Sequence, residues 1–289
     1  MKTILAPTDF SASSINAVNY AADMALAVNA QLILINAVQF PVAVSELSLP
    51  ESVMDEIIDM GNSDLEELAD KLKKRTNNKI FISAEVLFGP AEQQIEFMSA
   101  RKRPLAIVMG TKPGKTFDRA ALGSTVFHTM NHIPYPLLII PENFKFSPVR
   151  EIGLACDLED IEENMPIETI KEWLFLFNAR LHIVHVSVKN KEFRTSQLSE
   201  SVSLQNRFAS FTPIFHFLEG SNLEDELNHF AKSIHLDLLI VMPRSYGMFT
   251  PFHKKHSKKL IMHNQIPVLS IHELPPRKGK TERLEDWKY

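Results

Sequence analysis

The stretch VMGTKPGKTFDRAALGST, residues 108–125, decides how this chain is interpreted, because VMPRSYGMFTPFHKKHSK at 241–258 follows the same pattern. Both stretches begin with the apolar pair Val-Met, as at the end of a buried strand, and both continue into a loop. Gly114 and Gly247 stand at the same offset in the two stretches. The two stretches are therefore interpreted as copies of one unit.

Further pairs of segments support an internal repeat. They are 4–9 and 152–157, 32–38 and 181–187, and 136–140 and 267–271. Because the matches occur in the same order and at a long spacing, they predict a tandem domain duplication and not a solenoid. We expect one domain over 1–145, a second over 149–273, and a flexible charged tail over 274–289.

Composition narrows the class of protein. The chain of 289 residues contains 45% hydrophobic and 23% charged residues, which is typical of globular proteins. Its net charge of −4 gives no reason to expect binding to nucleic acid or to an anionic membrane. No apolar run reaches the roughly 18 residues that a membrane span needs. The single cysteine excludes an intrachain disulfide framework, so we expect a cytoplasmic protein.

Each half alternates short apolar segments with amphipathic ones. Strands are predicted near 2–7, 31–38, 80–88, 105–109 and 136–140, and near 151–156, 180–187, 212–218, 236–242 and 267–271. Alternation of strands with helices favours parallel pairing. The predicted fold class is therefore α/β, with two similar doubly wound domains that each contain a five-stranded, mainly parallel sheet flanked by helices.

Helix signals accompany these strands in the first half. Ser11 or Ser13 is predicted to cap the helix after the first strand, and 46–75 is predicted to be largely helical. Gly89-Pro90 ends a strand and opens the next helix, and a further helix is predicted to start near Gly123.

Two predicted strands of the first half end in residues suited to a ligand. The first is followed by Pro7-Thr8-Asp9 and the fourth by Met109-Gly110-Thr111-Lys112, whose loop leads to Gly123-Ser124-Thr125. In open α/β sheets, ligands bind beyond the carboxyl ends of the strands. Glycines let the backbone approach a ligand, a helix N-terminus attracts an anion, and an aspartate accepts from a ribose hydroxyl or a base amine. The pattern predicts a nucleotide pocket.

At these residues the chain resembles the universal stress protein family in its tandem two-domain form, over roughly residues 1–273. The resemblance implies an adenine nucleotide alpha hydrolase-like fold, and ATP or another adenine nucleotide as ligand, with or without Mg²⁺. Gly110, Gly123 and Ser124 match the first and last parts of the family motif G-x2-G-x9-G-[ST]. The resemblance implies that Asp9 and Ala37 face adenine and ribose. The candidate nucleotide-binding residues are Pro7, Thr8, Asp9, Ala37, Met109, Gly110, Lys112, Gly114, Gly123, Ser124 and Thr125.

The middle of the motif departs from the family pattern. Pro113 takes the place of a glycine, and Gly114 follows one residue late. Proline has no N–H to donate, and one lost charge-assisted hydrogen bond costs about 1.5–3 kcal/mol. Lys112, Lys115 and Arg119 either recover part of this loss through phosphate contacts or are solvated loop charges.

The second half keeps fewer of these features. Pro243 and His256 stand at the positions of the two outer motif glycines, so close approach of the backbone to a ligand is not expected there. Cys156 is interpreted as a small buried hydrophobe, with a reactive thiol as the alternative. The basic run 253–259 is interpreted as a solvated loop, with anion binding as the alternative.

Neither metal binding nor catalysis has a legible motif. His182 and His185 lie on one predicted strand and point to opposite faces, and His253 and His256 lack a nearby carboxylate. The chain contains no Ser/His/Asp order and no H-E-x-x-H motif. No metal ligand and no catalytic residue is therefore predicted.

Three functional hypotheses follow. The first is a cytoplasmic stress-response protein that binds an adenine nucleotide in its first domain and acts as a sensor or regulator. The alternative is a nucleotide-independent interaction scaffold with both pockets degenerate. The third is a slow, Mg²⁺-dependent ATP hydrolase. In each case the last strands, near 137–140 and 267–271, are predicted to pair the two halves into an internal pseudo-dimer, and a further homodimer stays open.

Overall fold

The computed structural model describes residues 1–39, 51–111, 123–158, 165–188, 195–220, 222–243 and 265–272. The strands are β1 (Thr3–Pro7), β2 (Gln31–Val38), β3 (Ile82–Phe88), β4 (Ala106–Gly110), β5 (Leu137–Ile140), β6 (Glu151–Ala155), β7 (Arg180–Val188), β8 (Ile214–Gly220), β9 (Leu238–Val241) and β10 (Val268–Ser270). The helices are α1 (Ala12–Ala27), α2 (Glu51–Arg75), α3 (Ala91–Lys102), α4 (Ser124–His132), α5 (Ile167–Phe177), α6 (Thr195–Arg207) and α7 (Leu223–Ser233), with a short 3₁₀ helix at Ala209–Phe211.

The strands form one 10-stranded sheet in the order β3-β2-β1-β4-β5-β10-β9-β6-β7-β8. All neighbours within β1–β5 and within β6–β10 pair in parallel, and the two groups have the same internal order. The α/β, doubly wound fold predicted for each half is confirmed. The two five-stranded sheets join into one continuous sheet, in agreement with the predicted pairing of the last strands.

The joint between the halves is the antiparallel pair β5–β10. Leu269 lies opposite Leu138, with Val268 opposite Ile139 and Ser270 opposite Leu137. Every residue of β5 and β10 is buried, as expected for strands covered by helices on both faces. Pairing of the last strands of the two halves, as the sequence predicts, leaves neither of them as an exposed apolar edge.

Helices cover both faces of the sheet. Alternate strand residues feed two apolar clusters, since successive side chains of a strand point to opposite faces. One cluster contains Ile4 and Ala6 of β1 with residues of α1, α2, α5 and α6. The other contains Leu5 of the same strand with residues of α3, α4 and α7. Because the helices cover the faces of the sheet, loops and helix termini lie at the edge formed by the carboxyl ends of the strands.

The helix signals of the first half are confirmed in most respects. Ser11 caps α1, and its hydroxyl oxygen accepts from the N–H of Ser14 at 3.4 Å. The helix predicted over 46–75 is present from Glu51 onward. A Gly123 φ of 82° precedes α4, which begins at Ser124. No helix among the described residues is long and apolar enough to cross a bilayer.

Some predictions concern regions that the structure leaves undescribed. The predicted tail over 274–289 lies outside the described residues, as does the basic run 253–259. The predicted domain limits, at 145 and 149, fall in the segment between β5 and β6. They stay predictions.

Candidate functional site

The candidate pocket of the first half lies where the strand order reverses. β1 pairs with β2 on one side and with β4 on the other. The loops after β1 and β4 therefore diverge to opposite faces of the sheet and leave a crevice at its carboxyl edge, the usual ligand position in open α/β sheets. The residues predicted from the sequence fall around this crevice.

The loop between β1 and α1 is held in place by its own polar groups. The N–H of Thr8 donates to the carbonyl of Ile35 at 2.9 Å, and the Thr8 hydroxyl oxygen accepts from the N–H of Phe10 at 3.0 Å. Phe10 adopts a left-handed φ of 59°, which turns the chain into α1. The Thr8 carbonyl accepts from the side-chain amide of buried Asn36 at 2.8 Å.

Asn36 is a site residue that the sequence analysis missed. It joins β2 to the loop after β1, beside the backbone bond from Thr8 to Ile35. Its signal was a single amide side chain inside the otherwise apolar strand LILINAV. A buried amide of this kind needs a hydrogen-bonding partner, which the Thr8 carbonyl provides.

Asp9 is an exposed carboxylate at the rim of the crevice. Its Oδ1 accepts from the N–H of Ser11 at 3.0 Å. Partial burial acts to raise the pKa of Asp9, but hydrogen bonds from the Ser11 and Ser14 side chains and from backbone N–H groups outweigh it and lower the pKa. Asp9 is therefore ionised at neutral pH, and any of its oxygens that faces the crevice can accept from a ligand hydroxyl or amine.

Gly110, at the end of β4, has a structural reason to be glycine. A Cβ built at this position would overlap the carbonyl oxygen of Ser13 and lie 3.3 Å from the N–H nitrogen of Ser14. The absence of a side chain therefore lets the first turn of α1 pack against β4. The backbone of Ser13 thus accounts for the missing side chain at Gly110 without any ligand. Contact between the Gly110 backbone and a ligand stays a prediction.

Gly123 has a different role at the start of α4. Its φ of 82° is readily adopted only by glycine, and it provides no side-chain cap for the first turn of the helix. No acidic residue lies in that first turn, and Ser124 is exposed there. The N-terminus of α4 therefore presents N–H groups without a side-chain cap from Gly123.

Thr125 is already engaged by a carboxylate. Its hydroxyl donates to Oε1 of Glu92 at 3.1 Å. Glu92 lies in the first turn of α3, which follows the Gly89-Pro90 turn after β3. The sequence analysis did not single out Glu92, and no local pattern connects it with Thr125, because they are joined only by the packing of α3 against α4.

The other predicted residues are placed as follows. Pro7 lies at the end of β1 opposite Ile35, and Ala37 lies further along β2 opposite Leu87. The side chain of Met109 is buried in the apolar cluster on the α3–α4 face, so that only its backbone can line the crevice. Lys112 and Gly114, with Pro113 between them, lie outside the described residues.

The corresponding edge of the second half is built differently. Pro243 follows β9 and is buried, whereas His256 lies outside the described residues. Cys156 is buried, in agreement with its interpretation as a small hydrophobe, and its Sγ accepts from the N–H of Leu158 at 3.4 Å. The carbonyl of Cys156 lies 3.1 Å from Nδ1 of His185.

A polar cluster of the second half lies at the opposite edge, where the strands begin. Nε2 of His182 is 2.7 Å from Oε2 of Glu151, and its Nδ1 is 2.9 Å from Nε2 of His216. Arg180 also pairs with Glu151. Within the described ranges, no three or more His, Cys, Asp or Glu side chains are arranged to hold a metal ion.

Comparison with known proteins agrees with this architecture. A universal stress protein from Archaeoglobus fulgidus DSM 4304 superposes with a TM-score of 0.71 at 17% identity, over 93% of this chain and 98% of that one. A putative universal stress protein from Pseudomonas aeruginosa UCBPP-PA14 superposes with a TM-score of 0.61 at 12% identity, over 94% of each chain. At such identities the likeness shows the fold. No curated protein matches this chain by sequence.

The sequence of the first half carries the family relationship. Residues 1–141 match the model described as the universal stress protein family. This range includes β1 to β5 and the crevice between β1 and β4. Through residues 1–141, the chain belongs to the universal stress protein family.

Proposed function

We propose that the first half of this protein binds an adenine nucleotide, ATP or a relative, and acts as a stress-response sensor or regulator. The observation that carries the proposal is the pair of features at the β1–β4 crevice. An ionised Asp9 lies after β1, on one side of the crevice. The N-terminus of α4, preceded by Gly123, lies on the other side, after the β4 loop. A hydrogen-bond acceptor and an anion-attracting helix end are what a nucleoside phosphate needs.

Each side of the crevice has a role in this proposal. Asp9 and the β2 end at Ala37 receive ribose and adenine. Gly123, Ser124 and Thr125 receive phosphate through their N–H groups and the Ser124 hydroxyl. The backbone of Met109 and Gly110, together with Pro7 and Thr8, forms the floor, and Lys112 and Gly114 would complete the phosphate side with Mg²⁺.

The test is calorimetric titration of Mg-ATP into the purified chain, after mass spectrometry for carried-over nucleotide. We expect about one site per chain of micromolar affinity, equivalent to roughly −8 kcal/mol. Asp9→Asn is expected to weaken it at least tenfold, because an ionised acceptor is lost. Asp64→Asn, the same change at an exposed position of α2, serves as the control.

A second candidate function rests on Gly110. Since the backbone of Ser13 accounts for this glycine without any ligand, its retention does not require a nucleotide. The alternative is a nucleotide-independent interaction scaffold. Absence of binding at millimolar Mg-ATP, with no nucleotide carried over, would favour the scaffold and reject the sensor.

We also propose the organisation in which this site works. The chain is a tandem of two domains, 1–145 and 149–273, joined through β5 and β10 as an internal pseudo-dimer. The single cysteine suits work in the reducing cytoplasm. Sedimentation of the full chain tests whether a further homodimer forms, and limited proteolysis tests whether cleavage separates the two domains near 145–149.

A further inference from the structure

Glu92 is the acidic side chain that contacts the phosphate side of the proposed pocket. The hydroxyl of Thr125, in the first turn of α4, donates to its Oε1 at 3.1 Å. Both residues are half-buried, so the contact is only partly screened by water. Glu92 thus places a negative charge at the helix end that the proposed function assigns to phosphate.

Packing of the helices explains how this charge reaches the crevice. α3 starts after β3, at one edge of the sheet, and then lies across β1 and β2 beside α4. Its first turn and the first turn of α4 therefore meet at the carboxyl edge of the strands. A carboxylate there is favoured by the partial positive charge of both helix N-termini, as a bound anion would be.

We propose that Glu92 is a specificity-determining residue that limits how much unneutralised phosphate charge the pocket accepts. The inference rests on the proposed adenine-nucleotide function. Glu92 disfavours free ATP more than AMP, because ATP has additional phosphates and its charge is larger. Mg²⁺ relieves this discrimination by neutralising phosphate oxygens, so the site accepts ATP as its magnesium complex.

The substitution Glu92→Gln isolates the charge from the geometry. The glutamine carbonyl can still accept from the Thr125 hydroxyl, so the contact between α3 and α4 is kept. Glu96→Gln is the matched control, since it removes the same charge from an exposed position of the same helix, one turn further from the α4 N-terminus. Thermal unfolding of both variants checks that the fold is retained.

The experiment is calorimetric titration of AMP, ADP and ATP in EDTA, and of ATP with Mg²⁺, into the wild type and both variants. We expect Glu92→Gln to strengthen binding of free ATP by about tenfold, AMP by about threefold, and Mg-ATP least. Glu96→Gln is expected to leave the ratio of ATP to AMP affinity as in the wild type. A merely structural role for Glu92 would change all ligands by the same factor.

Two outcomes overturn the inference in distinguishable ways. If the wild type binds AMP and Mg-ATP but Glu92→Gln leaves the ATP-to-AMP ratio unchanged, or Glu96→Gln shifts it equally, the inference about Glu92 fails and the nucleotide site stands. If neither the wild type nor Glu92→Gln binds any of the nucleotides, the proposed function fails, and the inference fails with it.

Discussion

The two halves of the sheet share one strand order but differ in the polar groups at their edges. In the first half, Asp9, Asn36 and Glu92 cluster with their partners near the carboxyl ends of the strands. In the second half, the ion-paired cluster around Glu151 and His182 lies where the strands begin. The apolar pattern that specifies the strand order therefore leaves each edge free to acquire its own chemistry.

Matched positions make the contrast concrete. Thr3 pairs with Gln31 at the start of the first half, and the amide of Gln31 donates to the Thr3 hydroxyl at 2.6 Å. The same places in the second half hold Glu151 and Arg180, which form an ion pair. A neutral hydrogen bond in one copy thus corresponds to a charged cluster in the other, with no change of register.

The joint between the halves should give the largest effect. Leu269 is fully buried in β10 opposite Leu138. We expect Leu269→Ala to lower the free energy of unfolding by about 3 kcal/mol through lost burial and a cavity. Urea unfolding measures this change in the free energy of unfolding. Leu26→Ala, on the exposed side of α1, is the control. A change no larger than that of the control would mean that the halves do not depend on this joint.

Gly110, which has Pro243 as its counterpart in the second half, should give the next largest effect. We expect Gly110→Ala to lower the free energy of unfolding by about 2 kcal/mol, because the new methyl group meets the backbone of Ser13. Gly61→Ala is the control, since its Cβ would make only ordinary contacts, with Val86 at 3.5 Å and Oδ1 of Asn36 at 3.8 Å, and alanine favours the α2 helix. If both variants are equally stable, the tight contact between α1 and β4 is not required.

Asn36 tests the polar edge of the first half. We expect Asn36→Ala to cost about 1 kcal/mol, because the buried carbonyl of Thr8 loses its donor. Affinity for adenine nucleotide should fall as well, since the loop carrying Asp9 then keeps only the backbone bond from Thr8 to Ile35 of β2. Asn131→Ala, which removes an amide bonded to Phe127 within its own helix, controls for the lost amide. Equal nucleotide affinity in the two variants would contradict the positioning role.

His216 tests the polar edge of the second half, with the smallest expected effect. Burial and the neighbouring His182 lower the pKa of His216. In the unfolded chain this histidine has its usual pKa, near 6.5. Below that pH the unfolded chain therefore binds more protons than the folded one. The stability contribution is present above that pH and is lost as the pH falls from about 6.5 towards the lower pKa of the folded state.

Several groups face His216. His182 is stacked against it at 5.2 Å between ring centroids, Glu151 and Arg180 lie behind His182, and Phe230 of α7 covers the ring at 4.5 Å. We expect His216→Gln to reduce the loss of stability between pH 7 and 5, measured by urea unfolding at each pH. His229→Gln, at an exposed position of α7, is expected to retain it. Identical pH profiles for both variants would exclude His216 as the source.

Much of the fold could be predicted from local pattern. The apolar runs located all ten strands to within about two residues, the usual scatter of element boundaries. Buried parallel strands are read easily because both faces must be apolar. The structure was needed to decide whether Ser11 or Ser13 caps α1, since both serines satisfy the sequence pattern. Ser11 has the extended backbone of an N-cap residue, whereas Ser13 lies inside the helix.

The candidate site was predicted less completely. Asp9 and Gly123 stand out in sequence, because an acidic residue after a strand and a glycine before a helix are local signals. Glu92 and Asn36 do not, since each acts through a partner that is remote in sequence. Gly110 stood out as a motif glycine, but its tight contact with the backbone of Ser13 could not be predicted, because Ser13 belongs to a different segment.

The sequence by itself determined the strand–helix alternation and the family of residues 1–141, because these depend on apolar periodicity and short motifs. Only the tertiary structure decided how the two halves join, with β5 and β10 antiparallel and Leu269 opposite Leu138. It alone also decided that Ser13 fills the space at Gly110 and that Glu92 reaches Thr125. The physical reason is that these contacts join segments far apart in the chain, where side-chain volume and helix packing, and not local propensity, set the distances.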